Sequence, residues 1–306
     1  MTLAAVRTAS RPGPGPMPEE LLRSLDLRLR RRIDGLLSGE HRATTLGLGS
    51  ELAQIRPYVP GDDVRLIDWN VTARTGEPHV RVQVAERALT TWLVLDTSLS
   101  MTFGTADRRK ADVAEGVAHA IAVAATRNGN RLGVITFGDS QPRTLPPRQG
   151  RPALLGLLHA VRSEPDEESI GATSFKDSLA RVSKLARRRA LVVVVSDFRG
   201  TLDWRRELVA LAARSHVLAV EVRDRREQEL ADVGDLWLVD PETGRLVRVD
   251  TSSRKLRERF AAEAASEREE LAALLRSTGS DHLVLSTSGD WLRELAGFLR
   301  RLEARR

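Results

Sequence analysis

The segment LVLDTSLSM, Leu93 to Met101, sets a carboxylate and two hydroxyls at alternate positions, Asp96, Ser98 and Ser100, where a run of β-favouring apolar residues stops. Side chains two apart on a chain leaving a strand point the same way, so these oxygens can converge on one point. Hard anionic and neutral oxygens suit Mg²⁺ or Mn²⁺, and Mg²⁺ keeps part of its water because it dehydrates reluctantly. Three groups leave an octahedron incomplete. Further oxygens are expected from other strand-end loops, and two candidates stand out: Thr173 in GATSF, before a helix, and Asp197 in VVVVSDF, ending a strand.

Catalytic readings of the same residues lack necessary parts. An aspartyl nucleophile of the haloacid-dehalogenase type needs a second aspartate two residues on as acid and base, and Ser98 stands there. Neither serine lies in a Gly-x-Ser-x-Gly elbow. The six histidines show no paired ligand spacing, and no phosphate-cradling Gly-Lys-Ser/Thr loop is present. A metal-dependent phosphohydrolase using Asp96 and Asp197 stays open as the alternative, because carboxylates with a hard cation can activate water.

Alternating strands and helices carry these loops. Strands are expected at Leu89 to Asp96, Arg131 to Phe137, Ala190 to Ser196 and His216 to Val222, with helices at Ala111 to Thr126, Pro152 to Arg162, Ser174 to Arg187 and Trp204 to Arg214. Continuous apolar runs such as LVVVVSD fit strands covered on both faces, so the fold class is α/β, an open doubly wound, mostly parallel sheet. Ligands bind such sheets at the carboxyl ends of strands, where Asp96 and Asp197 fall. Four parts follow: a disordered tail (1–17), an N-terminal helix and extension (18–86), the α/β domain (87–225), and a β-hairpin, long helix, strand and closing helix (226–306). The hairpin, inserted into or appended to the sheet, surrounds Pro241-Glu242-Thr243-Gly244; the long helix is Arg254 to Arg276. The first helix, Pro18 to Leu37, carries a stripe of Leu22, Leu25, Leu29, Ile33 and Leu36 for docking on the body, with arginines opposite.

Composition narrows the partners. Cysteine is absent, which removes disulfides and thiolate metal sites; no apolar run approaches the ~20 residues of a membrane span, and a cytoplasmic location is expected. The net charge of +6 invites nucleic acid or anionic lipid, but 42 acidic residues are interspersed with 48 basic ones and no aromatic-interleaved basic stripe accompanies them.

DTSLSM, GATSF and VVVVSDF together resemble the metal-ion-dependent adhesion site of von Willebrand factor A domains, Asp-x-Ser-x-Ser followed by a distant Thr and Asp. That resemblance implies direct metal contacts from Ser98, Ser100 and Thr173. It implies contacts through water or hydroxyls from Asp96 and Asp197, and an open position that takes a partner's carboxylate. Upstream, RPYVPGDDVRLIDWNVTART reads as a Pro60-Gly61 turn, a cap or pair from Asp62 and Asp63, a strand from Val64 to Trp69, and an ion-pair network of Arg65, Asp68 and Arg74 near Trp69. As a unit it resembles the hallmark of the bacterial family called domain of unknown function 58, and DPETGRLVRVDT resembles that family's later segment. The family implies a non-enzymatic adaptor for a MoxR-type AAA ATPase, working on an unknown client in chaperone-like remodelling or assembly.

Overall fold

The computed structural model describes residues 13–23, 25, 51–84, 90–126, 130–139, 142–162, 174–186, 190–239 and 246–304. Thr173 and the hairpin turn lie outside them. The chain divides into two units, one of residues 35–88 and one of residues 1–34 with 89–306.

In the smaller unit, β1 (Glu51–Pro57) pairs antiparallel with β2 (His79–Val84). The segment expected as a strand from Val64 to Trp69 instead forms a 3-10 turn, Val64–Leu66, and then the helix α1 (Trp69–Thr75). Capping decides this: Asp68 is extended, and its Oδ1 accepts from the backbone N of Asn70 and Val71 at 3.0 and 3.1 Å, meeting donors a helix start leaves open. Its other oxygen pairs with Arg81 Nε at 2.9 Å. The expected partners Arg65 and Arg74 are replaced by Arg81, and Asp63 caps the 3-10 turn through Arg65 N. Asp62 takes both guanidinium nitrogens of Arg56, at 2.8 and 2.7 Å, and Val59 N at 2.9 Å. That fork closes the Pro60-Gly61 turn, where Gly61 has φ +109°.

The larger unit is built on six strands: β3 (Thr90–Asp96), β4 (Arg131–Phe137), β5 (Thr144–Arg148), β6 (Ala190–Ser196), β7 (His216–Arg223) and β10 (Asp281–Ser286). Their order is β10-β7-β6-β3-β4-β5, parallel except for β5, which runs antiparallel at the edge. β5 contains Pro146 and Pro147, tolerable there because an edge strand can do without ladder donors. Four valines of β6, Val192 to Val195, are fully buried, as expected for a central strand covered on both faces. The hairpin strands β8 (Asp235–Val239) and β9 (Leu246–Asp250) form their own two-stranded sheet and do not join the large one.

Helices α2 (Lys110–Thr126), α3 (Gly150–Arg162), α4 (Phe175–Leu185), α5 (Arg205–Ala212), α6 (Arg254–Ser277) and α7 (Trp291–Ala304) complete the unit. Two apolar clusters mark the two faces of the sheet: α2 and α7 side chains pack with Leu93, Leu95 and Val193, and those of α4, α5 and α6 pack with Trp92, Val94 and Val192. Residues 19–23 are helical, and Leu25, fully buried, joins Met17, Leu21 and Leu22 on the α2/α7 cluster. The expected continuation to Leu37 lies outside the described residues. Of the tail, residues 13–17 are described, and the Pro14 carbonyl accepts from Trp291 Nε1 at 2.8 Å, so this stretch is seated on the body. Among the described residues no helix is long and apolar enough to cross a membrane.

Candidate metal centre

β3 is the strand from which the chain departs in both directions, to β4 on one side and later to β6 on the other. Crevices of open α/β sheets form at such a switch point. Because β3 and β6 are parallel neighbours, Asp96 and Asp197 emerge at the same edge. Thr97 donates from both its backbone N and its hydroxyl to the Phe137 carbonyl, at 2.8 and 2.9 Å, pinning the loop to β4. The chain then turns through the 3-10 segment Leu99–Thr102. Ser98 N donates to Asp96 Oδ1 at 3.0 Å, and the hydroxyl oxygens of Ser98 and Ser100 stand 3.0 Å apart.

The neighbouring loop leaves no room to spare. Gly138 has φ +82°, and a Cβ there would lie 2.7 Å from Ser98 Cβ and 2.9 Å from Asp96 Oδ1. Only glycine fits the conformation and the approach together. Ser196, the last residue of β6, donates to Asp96 Oδ2 at 2.5 Å and accepts from Phe198 N at 2.9 Å. Phe198 adopts φ +54°, a left-handed conformation unfavourable for a bulky residue, so its surroundings must hold it. Its ring sits 5.7 Å from Phe175 and 5.9 Å from Trp204, and Phe175 stacks on Phe137 at 4.8 Å. This aromatic group clamps the ends of β4 and β6 and the start of α4.

Lys110, fully buried at the start of α2, places Nζ 2.6 Å from Asp197 Oδ2 and 2.6 Å from Glu227 Oε1. Burial works to raise the Asp197 carboxyl, but the Lys110 charge and hydrogen bond, with help from Arg199 N and Ser100, outweigh it and hold the group below the usual carboxylate range. Asp96 goes the other way: burial and then the negative charge of Asp197 push it up to about 6. Three carboxyl groups, Asp96, Asp197 and Glu227, gather at this edge around one buried lysine side chain. Arg199, half exposed and 3.5 Å from Glu227, adds little because solvent screens it.

The residues present fit a hard divalent cation. An octahedral ion with bonds of 2.0–2.1 Å holds adjacent ligands about 2.9 Å apart, close to the separation of the two serine oxygens. Among the described residues no three His, Cys, Asp or Glu side chains converge as ligands, so a cation here depends on the hydroxyls. Of the five oxygens expected from sequence, Asp96, Ser98, Ser100 and Asp197 meet at one strand edge; Thr173 lies outside the described residues, and its neighbour Ser174 caps α4 through Asp177 N. A cavity of about 370 Å³ opens beside Asp197, with Arg199, Arg223, Glu227, Arg268 and Leu271 in its walls.

The sequence reading passed over Lys110, Ser196, Glu227 and Asp224. Asp224 is fully buried at the end of β7 and takes the backbone N and hydroxyl of Thr105 at 2.8 and 2.6 Å, the hydroxyl of Thr287 at 2.6 Å and Arg226 N at 2.8 Å. It ties three strand-end loops together. His282 pairs with Glu221 at 2.8 Å and His216 with Asp281 at 2.9 Å.

The model of the family described as "Protein of unknown function DUF58" matches residues 54–270. An uncharacterized protein of Mycobacterium tuberculosis is 41% identical over 278 residues, 91% of this chain and 87% of that protein. BatB of Bacteroides thetaiotaomicron, a solved structure, is 12% identical with a TM-score of 0.47, covering 71% of this chain and 99% of its own. A von Willebrand factor type A structure from Catenulispora acidiphila is 15% identical with a TM-score of 0.38, covering 72% of this chain and 43% of its own.

Proposed function

This chain belongs to the DUF58 family, and on that premise we propose that it is a non-enzymatic, metal-dependent protein-binding adaptor, working with a MoxR-type AAA ATPase in remodelling or assembly of client proteins. The observation that carries the metal dependence is the pair of serine hydroxyls 3.0 Å apart beside Asp96, at a part-buried strand edge where the carboxyl groups of Asp96 and Asp197 also emerge.

In this reading Ser98, Ser100 and Thr173 hold the cation directly. Asp96 and Asp197 hold it through water or by orienting the hydroxyls, as Asp197 already does with Ser100. A bound Mg²⁺ or Mn²⁺ supplies a Lewis-acidic position open to a carboxylate from outside. Ser196 keeps Asp96 in place, Gly138 admits the serine loop, and the cavity beside Asp197 gives space to residues flanking the partner's acidic side chain.

Phosphoester hydrolysis has less to draw on. Both oxygens of Asp96 accept hydrogen bonds from the protein, and Asp197 is bound to Lys110. Neither carboxylate is left as a free base or nucleophile.

The test is capture of a purified MoxR-type ATPase from the same cell on the immobilised chain, in Mg²⁺ and in EDTA, with the wild type and Ser98→Ala. Capture that needs Mg²⁺ and is lost in the variant is expected. Capture indifferent to both chelator and substitution contradicts the reading, and phosphoester turnover abolished by Asp96→Ala would restore the enzymatic one.

A further inference from the structure

Lys110 has no part in the five-oxygen pattern, yet its side chain is fully buried against it. Removing an ammonium from water costs several kcal/mol unless it is closely paired, and leaving a buried partner behind costs as much again. Lys110 meets that cost with two carboxylates, on segments 87 and 117 residues away in the chain. Its position is fixed from below: the Lys110 backbone N donates to the Phe103 carbonyl at 2.9 Å, and Nζ lies 6.0 Å from the centre of the Phe103 ring. The ammonium therefore occupies one oxygen of Asp197, a residue assigned to the cation in the preceding reading. A fixed unit charge within several ångströms of a divalent ion, at an effective dielectric of roughly 20, changes the ion's affinity by more than tenfold.

We propose that Lys110 is the resident counter-charge of the site: it holds Asp197 and Glu227 together in the metal-free protein and, by sharing Asp197 with the divalent cation, lowers the affinity for that cation. The inference rests on the divalent-cation reading. It assigns opposite signs to two substitutions that a merely structural cluster would push the same way. Lys110→Met removes the competing charge and strengthens metal binding. Glu227→Gln removes a negative charge and leaves Lys110 wholly to Asp197, which weakens it.

The experiment is calorimetric titration of Mn²⁺ into the metal-stripped full chain at pH 8 and constant ionic strength, comparing wild type, Lys110→Met and Glu227→Gln. Binding by Lys110→Met about tenfold tighter than wild type or more, and by Glu227→Gln weaker than wild type, is the expected result. The same Lys110→Met protein should lose melting temperature in EDTA and regain more of it with Mn²⁺ than wild type does. If Lys110→Met folds in neither condition, Glu227→Gln decides: weaker binding supports the inference, and equal or tighter binding overturns it. Wild-type binding with both variants unchanged, or both weakened, overturns the inference alone. A wild type that takes up no Mn²⁺ overturns the divalent-cation reading together with it.

Discussion

Ser196 Oγ donates a 2.5 Å hydrogen bond to Asp96 Oδ2, joining the ends of the two central strands at the point where the candidate cation site begins. The bond orients this carboxyl group and partly opposes the burial that pushes it up to about 6. Groups that orient metal-site residues from behind typically change metal affinity 10- to 100-fold when removed. Ser196→Ala should lower Mn²⁺ affinity by about that factor while costing about 1–3 kcal/mol in chemical denaturation, since Phe198 N loses its acceptor as well. Unchanged affinity would show that Asp96 is not placed by this contact.

Gly138→Ala tests the fit of the serine loop. The new methyl group would meet Ser98 Cβ at 2.7 Å in a conformation with φ +82°, so either the loop or the β4 end must shift. A stability loss of about 1–3 kcal/mol is expected from the backbone strain and crowding, together with loss of metal binding. A variant with the wild-type melting temperature and metal affinity would mean that the loop has slack this structure does not show.

Asp224 predicts a pH dependence. Burial alone would raise its carboxyl, but donors from Thr105, Thr287 and Arg226 outweigh burial and hold it below the ordinary range. A carboxyl depressed in the folded state contributes stability that is present above its unfolded value, about 3.9, and is lost as pH falls through the folded one. Asp224→Asn should therefore cost about 2–4 kcal/mol at pH 7, and the gap to wild type should narrow only below about pH 4. Urea denaturation at pH 7, 5 and 3.5 measures it; a gap that is constant down to pH 3.5 contradicts the assignment.

In the smaller unit, Asp68 both caps α1 and pairs with Arg81. Loss of the cap in Asp68→Ala should cost about 0.5–2 kcal/mol. Hydrogen exchange at Asn70 and Val71 is the local readout, because their amides are the ones released. Faster exchange there, with β6 amides unchanged, is expected; no change at these amides would mean that the cap is not what starts the helix.

Much of the α/β frame was legible because buried parallel strands are uninterrupted apolar runs. LVVVVSD and LVLD each end at the residue that faces the crevice. The two serines were legible because alternate residues share a direction. Other features were hidden for identifiable reasons. Asp68 turned an expected strand into a helix by capping it, a local effect that apolar content outweighed in the sequence. β5 was missed because Pro146 and Pro147 argue against a strand except at an edge, and edges are known only once the order is. Lys110 and Glu227 each read as ordinary solvated charges, since nothing local indicates a partner about a hundred residues away. Asp224 was hidden in the same way inside RDRRE.

The most direct measurement is a count of bound Mn²⁺ by electron paramagnetic resonance on the metal-stripped chain, with the Ser98→Ala/Ser100→Ala double variant beside it. The double variant removes the contact between the two hydroxyls and their hydrogen bonds to Asp96 and Asp197, at an expected cost of about 1–3 kcal/mol, and its circular dichroism should stay that of the wild type. One Mn²⁺ per wild-type chain, displaced by Mg²⁺ and absent from the folded double variant, is the predicted result. No saturable Mn²⁺ in the wild type, or equal uptake by the double variant, would contradict a cation held by the Ser98 and Ser100 hydroxyls.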